Sequence, residues 1–137
     1  MKISTRSRYA IRLMMDIAEN EKSGNVSMKD VSKRSHISLK YLEQIVNILC
    51  KTGLLRSQRG SQGGYKLVRS ADKYTVGNVI RAIEGDISGD YITDDNTSMN
   101  VFWHGLYDVI NDYMDSTTIN DLIEKEKTNN GLYEYYI

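Results

Sequence analysis

Apolar residues in the first half of the chain recur at helical rather than strand spacing. Between Thr5 and Asn20, the residues Ala10, Leu13, Met14, Ile17 and Ala18 form one stripe and predict an amphipathic helix. The connection that follows ends at Gly24 and Asn25. Ser27, with Asp30 three residues on, has the pattern of an acidic capping box and opens a short helix over 28–34. His36 and Ile37 leave room only for a tight turn. Ser38 then caps a third helix, from Leu39 to about Thr52, with Leu42, Ile45, Val46 and Leu49 inward and a polar outer face. Gly53 stands where a left-handed C-terminal cap belongs.

The period then changes. LLRSQ (54–58) and YKLV (65–68) read as strands, and the glycine-rich RGSQGG (59–64) between them reads as a turn. Thr75 caps a helix over 76–84 that closes at Gly85, with Val79, Ile80 and Ile83 inward. Residues 86–98 are acidic and polar and read as a loop. A long helix follows from Met99 to Met114, with Phe102, Trp103, Leu106, Ile110, Tyr113 and Met114 as a wide apolar stripe. Thr118 and Asp121 mark a last capped helix carrying Ile119, Leu122 and Ile123. The terminal GLYEYYI holds enough aromatic residues to dock on a surface.

These elements predict a mainly α fold with a small two-stranded β wing. A winged helix-turn-helix spans 1–75. Residues 76–137 supply a linker helix, a loop, and a dimerisation helix with a C-terminal tail. Two helices joined by so few residues have the spacing of a helix-turn-helix, whose second helix enters the major groove. The hairpin carries Arg59 at its tip and Arg56, Lys66 and Arg69 beside it, which suits a wing reaching a groove of negative potential. A plain solvated hairpin is the other reading, and its position directly after the helix pair argues against it. The stripe on the long helix needs a cover. In a chain this small the same helix of a second subunit supplies one, with packing inside the monomer as the alternative for part of it.

Charge sharpens the division. The chain is neutral overall, but residues 1–75 hold 15 Lys and Arg against 6 Asp and Glu, a balance of +9, and residues 76–137 hold 3 against 12, a balance of −9. A basic half of this kind points to a polyanion, although two faces attracting each other would also segregate charge. Duplex RNA fits less well than DNA, because a helix enters the DNA major groove and not the deep, narrow groove of A-form RNA.

Other classes recede. At 40% hydrophobic and 26% charged residues the mixture is globular. No apolar run approaches the ~18 residues needed to span a bilayer. MKISTRSRYAIRL lacks the apolar core and cleavage site of a signal peptide, so a cytoplasmic location is expected. The single cysteine, Cys50, excludes an intramolecular disulfide and fits a reducing compartment. Its place beside Leu49 favours burial as an inert thiol over a redox role. GSQGG lacks the Gly-Lys-Ser/Thr ending of a nucleotide loop. The two histidines fall in different parts of the chain, and no nucleophile pairs with a base, so no enzyme is indicated.

The residues resemble a family. The opening MKISTRSRYAIRLMMDIA, the segment ISLKYLEQIVNILCKTGLL, the wing RGSQGGYKL, the later VGNVIRAIEG and the stretch FWHGLYDVINDYMDSTTINDLI are together similar to the Rrf-type winged-helix transcription regulators. The likeness covers nearly the whole chain. It implies a homodimer built on the long helix through Phe102, Trp103, Leu106, Ile110 and Tyr113, with two winged units on a palindromic operator in double-stranded DNA. It implies contacts from Ser38, Lys40, Tyr41, Glu43 and Gln44 on the recognition helix and from Arg59 and Gly60 on the wing. The chemistry agrees: Gln44 can pair with adenine, Lys40 can reach guanine or phosphate, and Glu43 can accept from cytosine. Glu43 as a solvated charge and Tyr41 as a packing residue are the plainer readings.

The chain departs from the family at one place. Cluster-binding members hold iron–sulfur through three cysteines before the dimer helix, and here Asp86 to Phe102 contains none. Asp86, Asp90, Asp94 and Asp95 could attract a hard cation, but loop carboxylates are ordinarily solvated. His104, alone on the long helix, reads as a helix-surface or interface histidine rather than a ligand. No cluster, obligatory metal or other cofactor is expected. IEGDIS and the ending YEYYI are similar to the cluster-free subgroup that represses cysteine-metabolism genes. That likeness implies control of sulfur-uptake and cysteine genes, with cysteine synthase as a regulatory partner. The alternative is a metabolic sensor acting mainly by docking such an enzyme.

Overall fold

The computed structural model describes residues 2–89 and 97–136, with 97 and 130–136 as helix backbone only. Six α-helices and one antiparallel hairpin follow in the order α1 (Thr5–Asn20), α2 (Met28–Ser35), α3 (Leu39–Lys51), β1 (Leu55–Gln58), β2 (Gly64–Leu67), α4 (Val76–Glu84), α5 (Thr97–Asp115) and α6 (Ile119–Tyr136). The class is the expected one, mainly helical with a two-stranded sheet.

Local chemistry sets the helix ends. The hydroxyls of Ser4, Ser27 and Ser38 accept from the backbone N–H groups of Ser7, Asp30 and Tyr41. Thr75 and Asn78 form a reciprocal capping box at α4, and Thr118 and Asp121 do the same at α6. Each such cap contributes about 0.5–2 kcal/mol. Helix α3 stops in a paired turn: Gly53, at φ +84°, donates to the Cys50 carbonyl, and Leu54 N–H donates to that of Leu49 at 2.9 Å. That is the double closure a left-handed glycine makes possible. His36 closes α2 at φ 60°, a conformation that a β-branched residue would resist.

The core gathers α1, α2, α3, the hairpin and α4. Ala10, Leu13, Met14 and Ile17 meet Val31, Leu42, Ile45, Val46, Leu49, Leu55, Leu67 and Val79. The core also crosses the division expected after Thr75. Ile119 and Ile123 of α6 join the same cluster. Backbone bonds hold them there: Ile119 N–H donates to the Tyr74 carbonyl at 2.8 Å, and Val76 N–H to that of Thr117 at 2.9 Å. Apart from Met114, which is buried, the described side chains of α5 are half-buried or exposed and stay outside this cluster, and residues 124–129 of α6 are exposed. Ion pairing adds alignment, with the Arg34 guanidinium on both carboxylate oxygens of Asp16 at 2.7 and 2.9 Å, fixing α2 against α1.

The acidic stretch is described as far as Gly89, so Asp90, Asp94 and Asp95 lie outside the described residues. The side chains of the tyrosine-rich end lie outside them too, although the helix runs to Tyr136. Among the described residues no helix is long and apolar enough to cross a membrane.

Candidate nucleic-acid interface

Helix α3 is held from behind. Leu42, Ile45, Val46 and Leu49 are fully buried, so the opposite face must look outward. That face carries Lys40, Gln44, Asn47 and Lys51, all exposed, with exposed Glu43 on its flank. Asn47 and Lys51 were not singled out from the sequence, although they follow Gln44 by three and seven residues and so share its face. Ser38 sits at the helix start, with its hydroxyl oxygen engaged in the cap at 3.2 Å and its own O–H available for donation. Tyr41 differs from its neighbours. It is half-buried, and its ring meets that of Tyr9 edge-to-face at 5.4 Å, so its body packs on α1.

The wing is built by glycine and braced from outside the hairpin. Leu55, Arg56, Ser57 and Gln58 pair with Leu67, Lys66, Tyr65 and Gly64. Val26 pairs with Tyr65 as a one-residue third strand, donating to it at 3.0 Å and accepting from it at 2.8 Å. Gly64 permits this approach: at φ +152°, a Cβ would stand 2.6 Å from the Val26 carbonyl oxygen. Asn25 donates to the Gln58 side chain at 2.9 Å and to the Gln62 carbonyl at 3.2 Å. Glu21 accepts from Leu67 N–H at 2.9 Å. The tip residues Arg59 and Gly60 are exposed beyond this braced base.

Between wing and helix lies Tyr65. Burial pushes its phenol pKa up, and the nearby Cys50 and Glu43 add to the effect. Burial likewise raises the Cys50 thiol, which disfavours the reactive thiolate at neutral pH. The surface formed by α3 and the hairpin is basic, with Lys40, Lys51, Arg56, Arg59 and Arg69 all exposed. An exposed helix face flanked by a basic, extended loop can engage a groove and the phosphates on either side of it.

Helix α5 carries the second surface. Met99, Phe102, Leu106, Val109 and Tyr113 are exposed and alternate by three and four residues, a single row along one face. Trp103 and Ile110 flank that row half-buried, with the indole edge-to-face on Phe102 at 5.1 Å. Met114, expected in the stripe, is instead buried in the monomer. Its helical position lies one step round the helix from Tyr113, toward α4. A polar clamp sets this rotation. Arg81 donates to the side-chain amide oxygen of Asn111 at 2.9 Å and pairs with Asp115, which also accepts from the Thr75 hydroxyl at 2.9 Å. Asn111 in turn donates to the Ile87 carbonyl at 2.6 Å. With Asn111 and Asp115 turned to α4, the apolar row must face away. His104 is exposed and lies beside Gly89.

Known proteins share the sequence pattern and the fold. The Rrf2 family model, described as an iron-dependent transcriptional regulator, matches residues 3–125. The transcriptional regulator CymR of Bacillus subtilis is 36% identical, with the whole of both chains covered. The transcriptional regulator IscR of Pectobacterium carotovorum is 34% identical over 93% of this chain and 82% of its own. The solved structure of CymR, the global cysteine regulator of B. subtilis, superposes with a TM-score of 0.82, covering 91% of this chain and 98% of that one. The thiolate donors of an iron–sulfur cluster are lacking. The chain has a single cysteine, Cys50, half-buried in α3. Among the described residues no three His, Cys, Asp or Glu side chains converge on a metal position. A thiolate-held cluster has no ligand set here.

Proposed function

Because the chain belongs to the Rrf2 family of transcriptional regulators, we propose that it is a repressor that binds a palindromic operator as a homodimer, without an iron–sulfur cluster. The observation that carries this reading is the union, on one basic surface, of an outward polar α3 face and a braced wing tipped by Arg59. Ser38, Lys40, Glu43 and Gln44 meet base edges and phosphates, and Arg59 and Gly60 enter the adjoining groove. Tyr41 contributes through its packing on Tyr9, with only its outer edge toward DNA. Phe102, Leu106 and Tyr113, joined by Met99 and Val109, meet the same row of a second copy, with Trp103 and Ile110 at its margin. Two winged units arranged in this way read half-sites ~34–36 Å apart or a multiple of that.

The regulated genes, on the likeness to CymR, are those of cysteine and sulfur metabolism, and the protein acts in the cytoplasm. Cysteine synthase as a regulatory partner rests on the likeness of IEGDIS and YEYYI alone. Deleting 131–137 tests it: loss of enzyme binding with DNA binding intact supports the partner, and no change in either removes it. A sensor acting mainly by docking has no further support.

The test of the whole reading is selection from genomic DNA of the source organism, with Arg59→Ala as control. A palindrome upstream of sulfur-transport or cysteine-synthesis genes supports both the repressor and the regulon. A palindrome elsewhere retains the repressor and discards the regulon. No enrichment over the control overturns sequence-specific binding by the free protein.

A further inference from the structure

Leu39, the first residue of α3, stands apart from the other leucines of that helix. Leu42 and Leu49 are fully buried, whereas Leu39 keeps 38% of its surface in water. It lies between the capping Ser38 and the exposed Lys40. It also shares a helix flank with exposed Glu43, four residues on. An apolar side chain is therefore held out at the end of the helix that approaches base edges. The major groove offers a leucine one apolar partner, the C5-methyl group of thymine. Most of the remaining base edge there consists of hydrogen-bond donors and acceptors, which leucine cannot satisfy, and the C5–H of cytosine offers far less apolar surface than a methyl group.

We propose that Leu39 is a specificity residue: its methyl groups pack on the C5-methyl of one thymine in each half-site, next to the bases within reach of Lys40 and Glu43. The proposal rests on the DNA-binding reading above. It adds a sequence preference that no hydrogen-bonding residue of α3 supplies. Removing one buried methyl group corresponds to ~0.8 kcal/mol, or about fourfold in affinity.

The experiment uses the full chain and a duplex enriched by it from a random-sequence library. Each thymine of that duplex is replaced in turn by deoxyuridine, which lacks only the methyl group. The expected result is one position per half-site at which deoxyuridine weakens binding about fourfold. Leu39→Ala is expected to weaken binding to the parent duplex and to lose the distinction between thymine and deoxyuridine at that position. Leu39→Met, which keeps apolar reach, is expected to restore most of it. Insensitivity of the unaltered protein to deoxyuridine everywhere overturns the proposal without use of any variant. So does a Leu39→Ala protein that retains full sensitivity. Failure to enrich any duplex is a separate outcome, which removes the DNA-binding reading and the proposal together.

Discussion

Helices α3 and α5 are both amphipathic, and the molecule uses them in opposite ways. The apolar side of α3 is consumed inside the fold, and its polar side is the part on display. On α5 the polar residues Asn111 and Asp115 are turned to the monomer and the apolar row is left out, with Phe102 61% and Tyr113 77% exposed. A helix whose apolar face is buried has its position decided by packing and is free to present chemistry. A helix clamped by polar contacts, with its apolar face in water, is complete only against another surface. Stability and association should therefore separate cleanly between the two.

The largest effect is expected on α3. Leu42→Ala leaves a cavity in the centre of the core and should cost about 2–5 kcal/mol in urea unfolding. A loss below 1 kcal/mol would mean that α3 is not held by its inner face. On α5, Leu106→Glu should leave the far-ultraviolet circular dichroism of the folded protein unchanged and weaken self-association at least about a hundredfold. Each of two leucines burying ~1.5–3 kcal/mol of apolar surface implies that factor. Sedimentation reads it directly, and an unchanged dimer would move the interface off this row. At the wing, Arg59→Ala should cost ~1–3 kcal/mol in operator affinity with the urea midpoint unaltered. A residue held by packing would show the reverse pattern.

The same comparison explains what could be read in the sequence. The core of the winged unit was legible because Leu42, Ile45, Val46 and Leu49 repeat at helical spacing and Ser27, Ser38 and Thr75 announce their caps. The one-residue strand at Val26 was not legible, since a single residue has no period, and its signal lies instead in Gly64, whose missing Cβ makes room for it. On α5 the stripe was visible, but its rotation was not. Periodicity treats Met114 as equal to Tyr113, and only the Arg81–Asn111–Asp115 clamp decides which faces the monomer. The domain division fell after Thr75 because composition changes there, whereas Ile119 and Ile123 return to the core through contacts that no local pattern records.

The smallest expected effect lies at the joint between the two regions. Glu84, the last residue of α4, accepts from the Ser7 hydroxyl at 2.6 Å and from the Ser4 hydroxyl and N–H. Ser7 is the one buried polar residue among those described, so this carboxylate satisfies a group that has no access to water. The hydrogen bonds from Ser4 and then Ser7 hold the Glu84 pKa below its ordinary value. A carboxylate whose pKa is lowered on folding stabilises the fold above its unfolded value, near 4.3, and loses that contribution as pH falls through the folded value. Glu84→Gln keeps an acceptor but removes the charge, and because the residue is exposed the loss at pH 7 should be no more than about 1 kcal/mol. Below the folded pKa the two proteins should converge in stability. Glu84→Ala, which deprives Ser7 of its acceptor, should cost more, about 1–3 kcal/mol, at every pH. If urea unfolding from pH 7 to 3 shows a constant difference between Glu84→Gln and the unaltered chain, the charge is not what joins α4 to the start of α1, and the hydrogen-bond geometry alone is.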